Sequence, residues 1–484
     1  METAYQPEAT ERRWRQRWVE LELGAADPAS PKPAFSIALP PPNITGSLHM
    51  GHALNALVQD ALCRFHRMRG FEVCWVPGTD HAAIATQNVI ERQLADEGRT
   101  KEELGREAFG VLVEAWYQEY QGRILEQLRR LGATCDWARG RFTMDDGYVR
   151  VIRTVFSGLY REGLIYRGPR IVNWCPRCRS AISDEEVDYQ EQQDTFYYVS
   201  YPLVGAPGAL EVATTRPETI LADVAVAVSP GDQRFTEMVG MTVREPLGNR
   251  EIPVIADQAV DPRLGTGVLK ITPGHSAEDY EIGERHHLPI LTVISLDGKM
   301  IAPDFPTLDG QEVTEARERA GQLLRSSGAM LREEPLLHQV GHCDRCGTII
   351  EPLVTPQWWV RVRPLADPAV DAVASGRIKI HPEQFRAQYL DWLAGLRDWC
   401  ISRQLWLGHR IPVSTCGNGH TFAWVEEPKL CPECASPELT ADPDVLDTWF
   451  SSALWPFAIL GWPEPNPALE KFYPTSVLST ARDI

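Results

Sequence analysis

No stretch of this chain approaches the ~18 uncharged apolar residues that a membrane-spanning helix needs. It does not open like a secretory signal either. METAYQPEATERRWRQRW is charged throughout, with no apolar run and no small-residue cleavage site. Basic residues are in deficit, 48 against 66 acidic, and the net charge of −18 excludes a protein that grips nucleic acid by bulk charge. A local basic groove stays compatible with that balance. Internal repeats and low-complexity tracts are missing, which excludes solenoids and tails. The cysteine count is odd, eleven, in a chain far too long for a disulfide-stapled mini-domain. These absences describe a soluble, cytoplasmic chain with no membrane partner, in which cysteine serves something other than disulfides.

What is present is ample. The 484 residues are 43% apolar, enough for sizeable cores, and at about 150 residues each they suggest about three domains. Six cysteines form three C-x-x-C pairs, Cys175/Cys178, Cys343/Cys346 and Cys431/Cys434. In a reducing compartment that pattern suggests zinc. Cys63, Cys74, Cys135 and Cys400 stand alone and read as buried free thiols.

The apolar periods predict a helix over residues 8–22, carried by Trp14, Trp18 and Leu21. Phe35 to Leu39 reads as a buried strand that ends at Pro40-Pro41-Pro42. Beyond Gly46, Ala53, Leu54, Leu57, Val58, Ala61, Leu62 and Phe65 form a stripe of helical period. Glu72–Val76 is a second strand, closed by Pro77-Gly78. Strand, loop, helix and strand make a parallel crossover, so the chain opens as a nucleotide-binding α/β domain. From about 195 to 330 short β-branched runs recur: FYYVSYPLV, LEVATT, VAVAV, PVIA, GVLKIT and ILTVI. Cysteine pairs flank this strand-rich module on both sides. It reads as an insertion whose stem is clamped by one metal. The expected division is 1–145, helix and first half of the α/β domain; 146–194, connector; 195–334, insertion; 335–350, second cysteine knuckle; and 351–484, return to the α/β domain. A small cysteine-bearing piece interrupts the last part at about 412–440.

The segment PPPNITGSLHMGHA, Pro40 to Ala53, lies between a strand end and a helix start. Free backbone N–H groups and the helix dipole favour phosphate there. His49 and His52, three apart, face the same way on the first turn and can hold the oxygens of a phosphate undergoing in-line displacement. Gly51 between them leaves room for a flat ring against the backbone. Asp80 follows a strand end and two small residues, so its carboxylate can point into a cleft and pair with a cation there.

This segment resembles the HIGH signature of class I aminoacyl-tRNA synthetases, with Met50 at the aliphatic second position. The wording is similar to that of the valine-handling branch. Further matches follow in order: GTDHAAIATQ (Gly78 to Gln87), NWCPRC (Asn173 to Cys178), TTRPET (Thr214 to Thr219), GTGVLKITPGH (Gly265 to His275), WCISRQLW (Trp399 to Trp406) and DVLDTWFSSALWP (Asp444 to Pro456).

The resemblance implies a nucleotide-binding, Rossmann-like parallel-sheet catalytic domain, split by a strand-rich editing domain and carrying small zinc knuckles. It implies ATP and Mg²⁺ at Asn43, Thr45, His49, Gly51 and His52, with His49 and His52 catalytic. Valine would lie against Pro41, Asn43, Asp80, Trp449 and Trp455. An apolar pocket rejects the isosteric threonine only weakly, so a second, polar site must remove mischarged threonyl-tRNA(Val). Thr214, Thr215, Arg216, Thr219, Lys270 and Asp279 are its implied residues. Ser276 stands where the family often has Asp, and Gly274 where it has Ala. Structural zinc is implied at Cys175, Cys178, Cys343 and Cys346, and at Cys416, His420, Cys431 and Cys434. The partners would be valine, ATP and tRNA(Val), bound by a monomer. The family's KMSKS motif does not occur, and the resemblance implies a parent chain roughly twice as long. Two rival readings are a relative that only deacylates tRNA and a non-catalytic, zinc-clamped tRNA-binding protein.

Overall fold

The computed structural model describes residues 6–479. Its chain divides into two compact units, Met1–Tyr166 with Trp359–Ile484, and Arg167–Trp358.

In the first unit, helix α1 (Pro7–Glu20) starts on a proline, which has no N–H to leave unpaired in a first turn. Strand β1 (Ala34–Ala38), helix α2 (Met50–Met68) and strand β2 (Glu72–Trp75) form the predicted parallel crossover. A last short strand, Val477–Leu478, lies parallel on the other side of β1, giving the order β2, β1, 477–478. Buried Phe35, Ile37, Val73 and Trp75 pack with Cys63 and Cys135 into the core of this sheet. β3 (Gly78–Thr79) pairs in parallel with β4 (Arg141–Phe142), between which run helices α3 (Ala83–Asp96) and α4 (Arg106–Arg130). α5 (Asp146–Arg161) follows, its first turn capped by the Asp145 carboxylate on the Tyr148 N–H.

The helical period of α2 is as read, but its sides are reversed. The buried residues are Ala56, Gln59, Asp60 and Cys63; of the apolar stripe, Leu54, Leu57, Val58 and Phe65 are exposed, while Leu62 packs against the sheet core. Polar pairing fixes this orientation: Gln59 accepts from the Trp75 indole N–H at 2.9 Å, and Asp60 from the N–H and hydroxyl of Thr134 at 2.9 and 2.6 Å.

The second unit mixes sheets. Met330–Cys343, Val187–Pro202 and Ala209–Thr214 form an antiparallel sheet in that order. A four-stranded sheet runs Thr242–Arg244, Glu251–Ala256, Ala225–Val228, Val268–Ile271. Val199, Val212, Val226, Val254 and Leu324 fill the core. The run ILTVI, expected as a strand, forms only a single bridge, Ile294 to Met300. The Val293 N–H is taken by Nε2 of His275 at 2.9 Å rather than by a neighbouring strand. A Cβ on Gly274 would stand 2.1 Å from the Leu291 carbonyl oxygen, so the run packs flush on a position that admits only glycine.

The lone cysteines 63, 74, 135 and 400 are buried thiols. Burial pushes the pKa of Cys63 and of Cys74 up to about 12, which leaves them unreactive. No helix among the described residues is long and apolar enough to cross a membrane.

Candidate functional site

In the first unit, two loops meet at the carboxyl ends of the parallel strands. The chain leaving β1 is stitched to the end of β3 by a parallel bridge between Asn43 and Asp80: the Asp80 N–H donates to Pro42 O at 2.9 Å, and the Ile44 N–H donates to Asp80 O at 3.0 Å. Pro41 and Thr45 are half-buried beside it, and the Asn43 side chain is exposed.

α2 then begins with a reciprocal cap made of two histidines. His49 is the N-cap, its Nδ1 accepting the Gly51 N–H at 3.1 Å, while the His49 N–H donates to Nδ1 of His52 at 3.3 Å. The rings lie 3.9 Å apart. Because both Nδ1 atoms accept from the backbone, each neutral ring carries its proton on Nε2. Burial, and then the charge of His49, lower the pKa of His52, so its ring is held neutral. The result is two Nε2–H donors side by side at a helix N-terminus, a ready anion site. Gly51 serves a role the sequence did not suggest: a Cβ there would lie 2.9 Å from Cε1 of His49, so the glycine clears space for the capping ring.

Asp80 is 1% exposed, and its carboxylate is engaged on both oxygens. Oδ1 accepts the Ala82 N–H at 2.7 Å, and Oδ2 accepts the Ser452 hydroxyl at 2.6 Å. The first bond holds Ala82 at φ 50°, a left-handed conformation at the N-cap of α3. Ser452 belongs to the short helix Thr448–Ser452, within the tryptophan motif. Trp455 is buried, its ring edge so close to Gly78 that a Cβ there would stand 2.1 Å from Cη2. Trp449 is half-buried, its backbone N–H bonded to Asp447. Of the two tryptophans, Trp455 is thus the one seated against the strand that leads to Asp80.

Sequence reading missed the support behind Asp80. His81 is fully buried, with Nδ1 2.8 Å from the Thr143 hydroxyl and its ring edge-on to the buried His409 at 4.7 Å. Burial lowers both pKa values, so this pair is neutral. Gln87 accepts from the N–H groups of Trp406 and Leu407 at 3.0 and 3.2 Å, tying the two halves of this unit together. An ordered GTDHAAIATQ motif could have flagged His81 and Gln87, but nothing local pointed to Ser452.

The second unit gathers most of the other predicted set. Lys270 Nζ donates to Thr219 Oγ1 and to Asp223 Oδ1, both at 2.9 Å, and also to the Thr272 hydroxyl. The Thr272 N–H donates to Asp279 Oδ2 at 2.8 Å, and the Asp279 N–H donates to Ser276 Oγ at 3.3 Å. Ser276 is therefore the N-cap of the helix Ala277–His286, which accounts for a hydroxyl at that position. Burial pushes the pKa of Asp279 up to about 6, against the pull of Lys270. Arg216 is held by Glu218 at 3.2 Å and Glu351 at 2.5 Å, while its N–H donates to Thr214 Oγ1 at 3.0 Å. Its guanidinium is thus anchored by two carboxylates. Thr215 is half-buried. Asp223 and Glu351, which lie outside the quoted motifs, and Glu218, within TTRPET, pair with the cations of this cluster.

Two ligand clusters are formed. Cys175, Cys178, Cys343 and Cys346 present four sulfurs, and Cys416, His420, Cys431 and Cys434 present three sulfurs and an imidazole nitrogen; within each set the ligand atoms lie within 4.8 Å of one another. Tetrahedral zinc with thiolates at about 2.3 Å requires spacings of roughly 3.8 Å. The observed 3.4 Å between Cys175 and Cys346, and 3.7 Å between Cys416 and Cys434, fit that size. His420 turns Nδ1 toward Cys416 at 3.5 Å, while its Nε2 lies 3.8 Å from the Glu433 carboxylate, which favours the tautomer that frees Nδ1. Both sets are closed, as structural sites are.

A helix start capped by two histidines beside a buried carboxylate, on a parallel sheet, is the arrangement that the class I synthetase resemblance implied. Residues 13–484 match the family model for tRNA synthetases class I (I, L, M and V), and the chain belongs to that family. Within it, the chain is 52% identical over 482 residues to the valine–tRNA ligase of Geobacter sulfurreducens, covering 99% of this chain and 54% of that one. It is 51% identical over 483 residues to the valine–tRNA ligase of Carboxydothermus hydrogenoformans, covering 100% and 55%. The chain thus spans about half the length of the curated relatives it matches. A solved LeuRS from Agrobacterium radiobacter K84, in ternary complex with tRNA and LeuAMS, is similar at TM-score 0.49 and 19% identity, over 98% of this chain and 63% of that one.

Proposed function

We propose that this chain carries the valine-activating site and the editing site of a cytoplasmic, monomeric valine–tRNA ligase, acting on valine, ATP and tRNA(Val). The observation that carries the reading is the pair of imidazoles at the start of α2, whose Nδ1 atoms both accept from the backbone and so leave Nε2–H as the donor of each. In the reaction, the valine carboxylate attacks the α-phosphate of ATP, giving valyl-adenylate and pyrophosphate. Charge grows on the phosphate oxygens, and donors fixed before the reaction stabilise it without reorganising. His49 and His52 fill that role, with Asn43, Thr45 and Gly51 lining the nucleotide. Mg²⁺ bound with ATP would neutralise the outer phosphates.

Asp80 is the ammonium ligand in this reading. Ser452 now donates to it, and that hydroxyl has a second acceptor in Thr448 O at 3.0 Å, so it can release Oδ2 to the substrate. Pro41, Asn43, Trp449 and Trp455 wall the aliphatic side chain.

In the proposed Rossmann-like catalytic domain split by an insertion, residues 195–334 act as the editing domain. Asp279 takes the ammonium group of misattached threonine, and Thr214, Thr215, Arg216, Thr219 and Lys270 position the ester and the tRNA end. Zinc in the two clusters would act as structural cross-links.

The test is binding of a non-hydrolysable valyl-adenylate analogue to the 484-residue chain, with threonyl and isoleucyl analogues as competitors, alongside deacylation of Thr-tRNA(Val). Preference for the valyl analogue together with hydrolysis of Thr-tRNA(Val) is expected. Binding without discrimination would overturn the valine assignment, and deacylation without analogue binding would favour a purely editing protein.

A further inference from the structure

The two cations gathered with the threonines of the Arg167–Trp358 unit are both neutralised by the protein itself. Lys270 lies 2.9 Å from Asp223, a carboxylate with no exposure to solvent. Arg216 has two carboxylates, Glu218 against Nε at 3.2 Å and Glu351 against Nη2 at 2.5 Å. Glu218 is fully buried and Glu351 is 5% exposed, so water screens these contacts little. Burial alone would pull the pKa of Arg216 down, but Glu351 and then Glu218 raise it beyond its ordinary value.

A second arginine extends the arrangement. Arg317, on the helix Val313–Ser327, reaches both oxygens of Glu218, with Nε 3.3 Å from Oε1 and 3.2 Å from Oε2. Its Nη1 donates to Asp194 Oδ2 at 3.2 Å. Two guanidinium groups thus alternate with three carboxylates, Asp194, Glu218 and Glu351, and the formal charge of these five groups is −1. The backbone of Arg216 is fixed as well. Its N–H donates to Thr214 Oγ1 at 3.0 Å, and its carbonyl oxygen accepts the Thr219 hydroxyl at 2.9 Å. Nη1 has a single, longer contact among the described residues, 3.4 Å to the His275 carbonyl oxygen.

A cation flanked by two desolvated carboxylates has little net field to offer a phosphate, whereas its N–H groups keep their direction. We propose that Arg216 is a neutralised, fixed hydrogen-bond donor that takes an uncharged oxygen of the tRNA end through Nη1, and not a phosphate counter-ion. Glu351 and Arg317 are its positioning residues. Glu351 fixes the guanidinium directly, and Arg317 shares the charge of Glu218 that would otherwise fall wholly on Arg216. This rests on the reading of residues 195–334 as a hydrolytic site for threonyl-tRNA(Val), and it adds which part of the substrate that arginine meets.

The experiment uses Glu351→Gln and Arg317→Gln in the 484-residue chain, two changes that shift the local charge in opposite directions. Each variant is measured for binding of uncharged tRNA(Val) over a range of salt, and for the rate of Thr-tRNA(Val) hydrolysis at saturating RNA. Glu351→Gln unmasks the guanidinium, so RNA should bind about threefold more tightly, the scale of one partly screened ion pair, with a steeper salt dependence. Arg317→Gln leaves a negative charge unpaired, so RNA should bind about threefold more weakly, with a shallower one. Saturated hydrolysis should fall at least about tenfold in both, because the donor is no longer held in place. Weaker binding by both variants, the result of a merely structural cluster, would overturn the proposal, as would unchanged affinity and salt dependence in Glu351→Gln. Arg317→Lys carries the test if a glutamine variant fails to fold: it keeps the charge without the two-pronged grip, so affinity should match wild type while hydrolysis stays slow. A wild-type rate in Arg317→Lys would overturn the positioning role. A wild-type chain that leaves Thr-tRNA(Val) intact, while the variants shift RNA binding in opposite directions, would remove the hydrolytic reading and support the neutralised arginine.

Discussion

Replacing Asp279 by asparagine is expected to stabilise the Arg167–Trp358 unit at neutral pH and to slow the hydrolysis assigned to it. The Asp279 carboxyl is 5% exposed and its pKa is pushed up to about 6 from an ordinary 3.8, with burial the largest cause. Lys270 and the Thr272 N–H pull the other way, and the charge of Asp223 adds to the rise. An acid with a raised folded pKa binds its proton more tightly when folded than when unfolded. Its contribution to stability is therefore full below pH 3.8 and is lost as pH rises through about 6. At about 1.36 kcal/mol per pH unit, that interval amounts to about 3 kcal/mol borne by the ionised group at pH 7. The amide of the Asp279→Asn variant keeps an oxygen for the Thr272 N–H and brings no charge, while Lys270 retains Asp223 at 2.9 Å. Urea unfolding of Asp279→Asn against wild type should show a difference near zero at pH 4 that grows to about 3 kcal/mol at pH 7.5. A difference independent of pH, or a variant less stable at pH 7.5, would refute the argument. If Asp279 also binds the substrate ammonium, the same variant should deacylate Thr-tRNA(Val) at least roughly 30-fold more slowly, the low end of the cost of an unpaired buried charge.

Other expectations follow from the same geometry. His52→Ala, in the protein extended to the relatives' length, should lower valine-dependent ATP–pyrophosphate exchange by about 10² or more with little change in valine affinity, because the donor acts mainly in the transition state; an unchanged rate would remove His52 from the phosphate site. Ser452→Ala deprives a buried carboxylate of a 2.6 Å hydrogen bond, and should destabilise the unit containing α2 by about 1.5–3 kcal/mol in denaturant titration. A loss under about 0.5 kcal/mol, below the usual worth of one hydrogen bond, would mean that Asp80 is already satisfied without it. Cys343→Ser should release about one equivalent of zinc by elemental analysis, since both edges of the Arg167–Trp358 unit contribute to that cluster; full retention would mean that the two C-x-x-C pairs act separately.

Features carried by neighbours in sequence were legible. The histidine pair is a matter of three-residue spacing on one helical turn, and each C-x-x-C presents its sulfurs through a short turn. The parallel crossover of β1, α2 and β2 was readable from apolar runs and the prolines that end them. Asp80 was found because it follows a strand end, yet its partner Ser452 lies 372 residues away, and no local pattern encodes that distance. ILTVI shows a different failure. Its composition is that of a strand, but a histidine side chain takes the Val293 N–H, and strand formation needs backbone partners as well as apolar residues.

α2 marks the limit most clearly. A period of 3.6 says that a helix has two faces, and hydrophobicity assigns the apolar one to the core. Here the assignment inverts, because what anchors the helix to its sheet is a pair of polar contacts, Gln59 to Trp75 and Asp60 to Thr134. Each buried polar group is satisfied, so the inversion carries little penalty on the inside. On the outside, six large apolar side chains stay wet, and that penalty is lifted only when another element covers them. The sequence stripe was therefore a true signal of a helix, while the polar contacts decided which of its faces meets the sheet. Amphipathicity reports that a helix has two faces; which of them meets the sheet depends on the polar groups that find partners there.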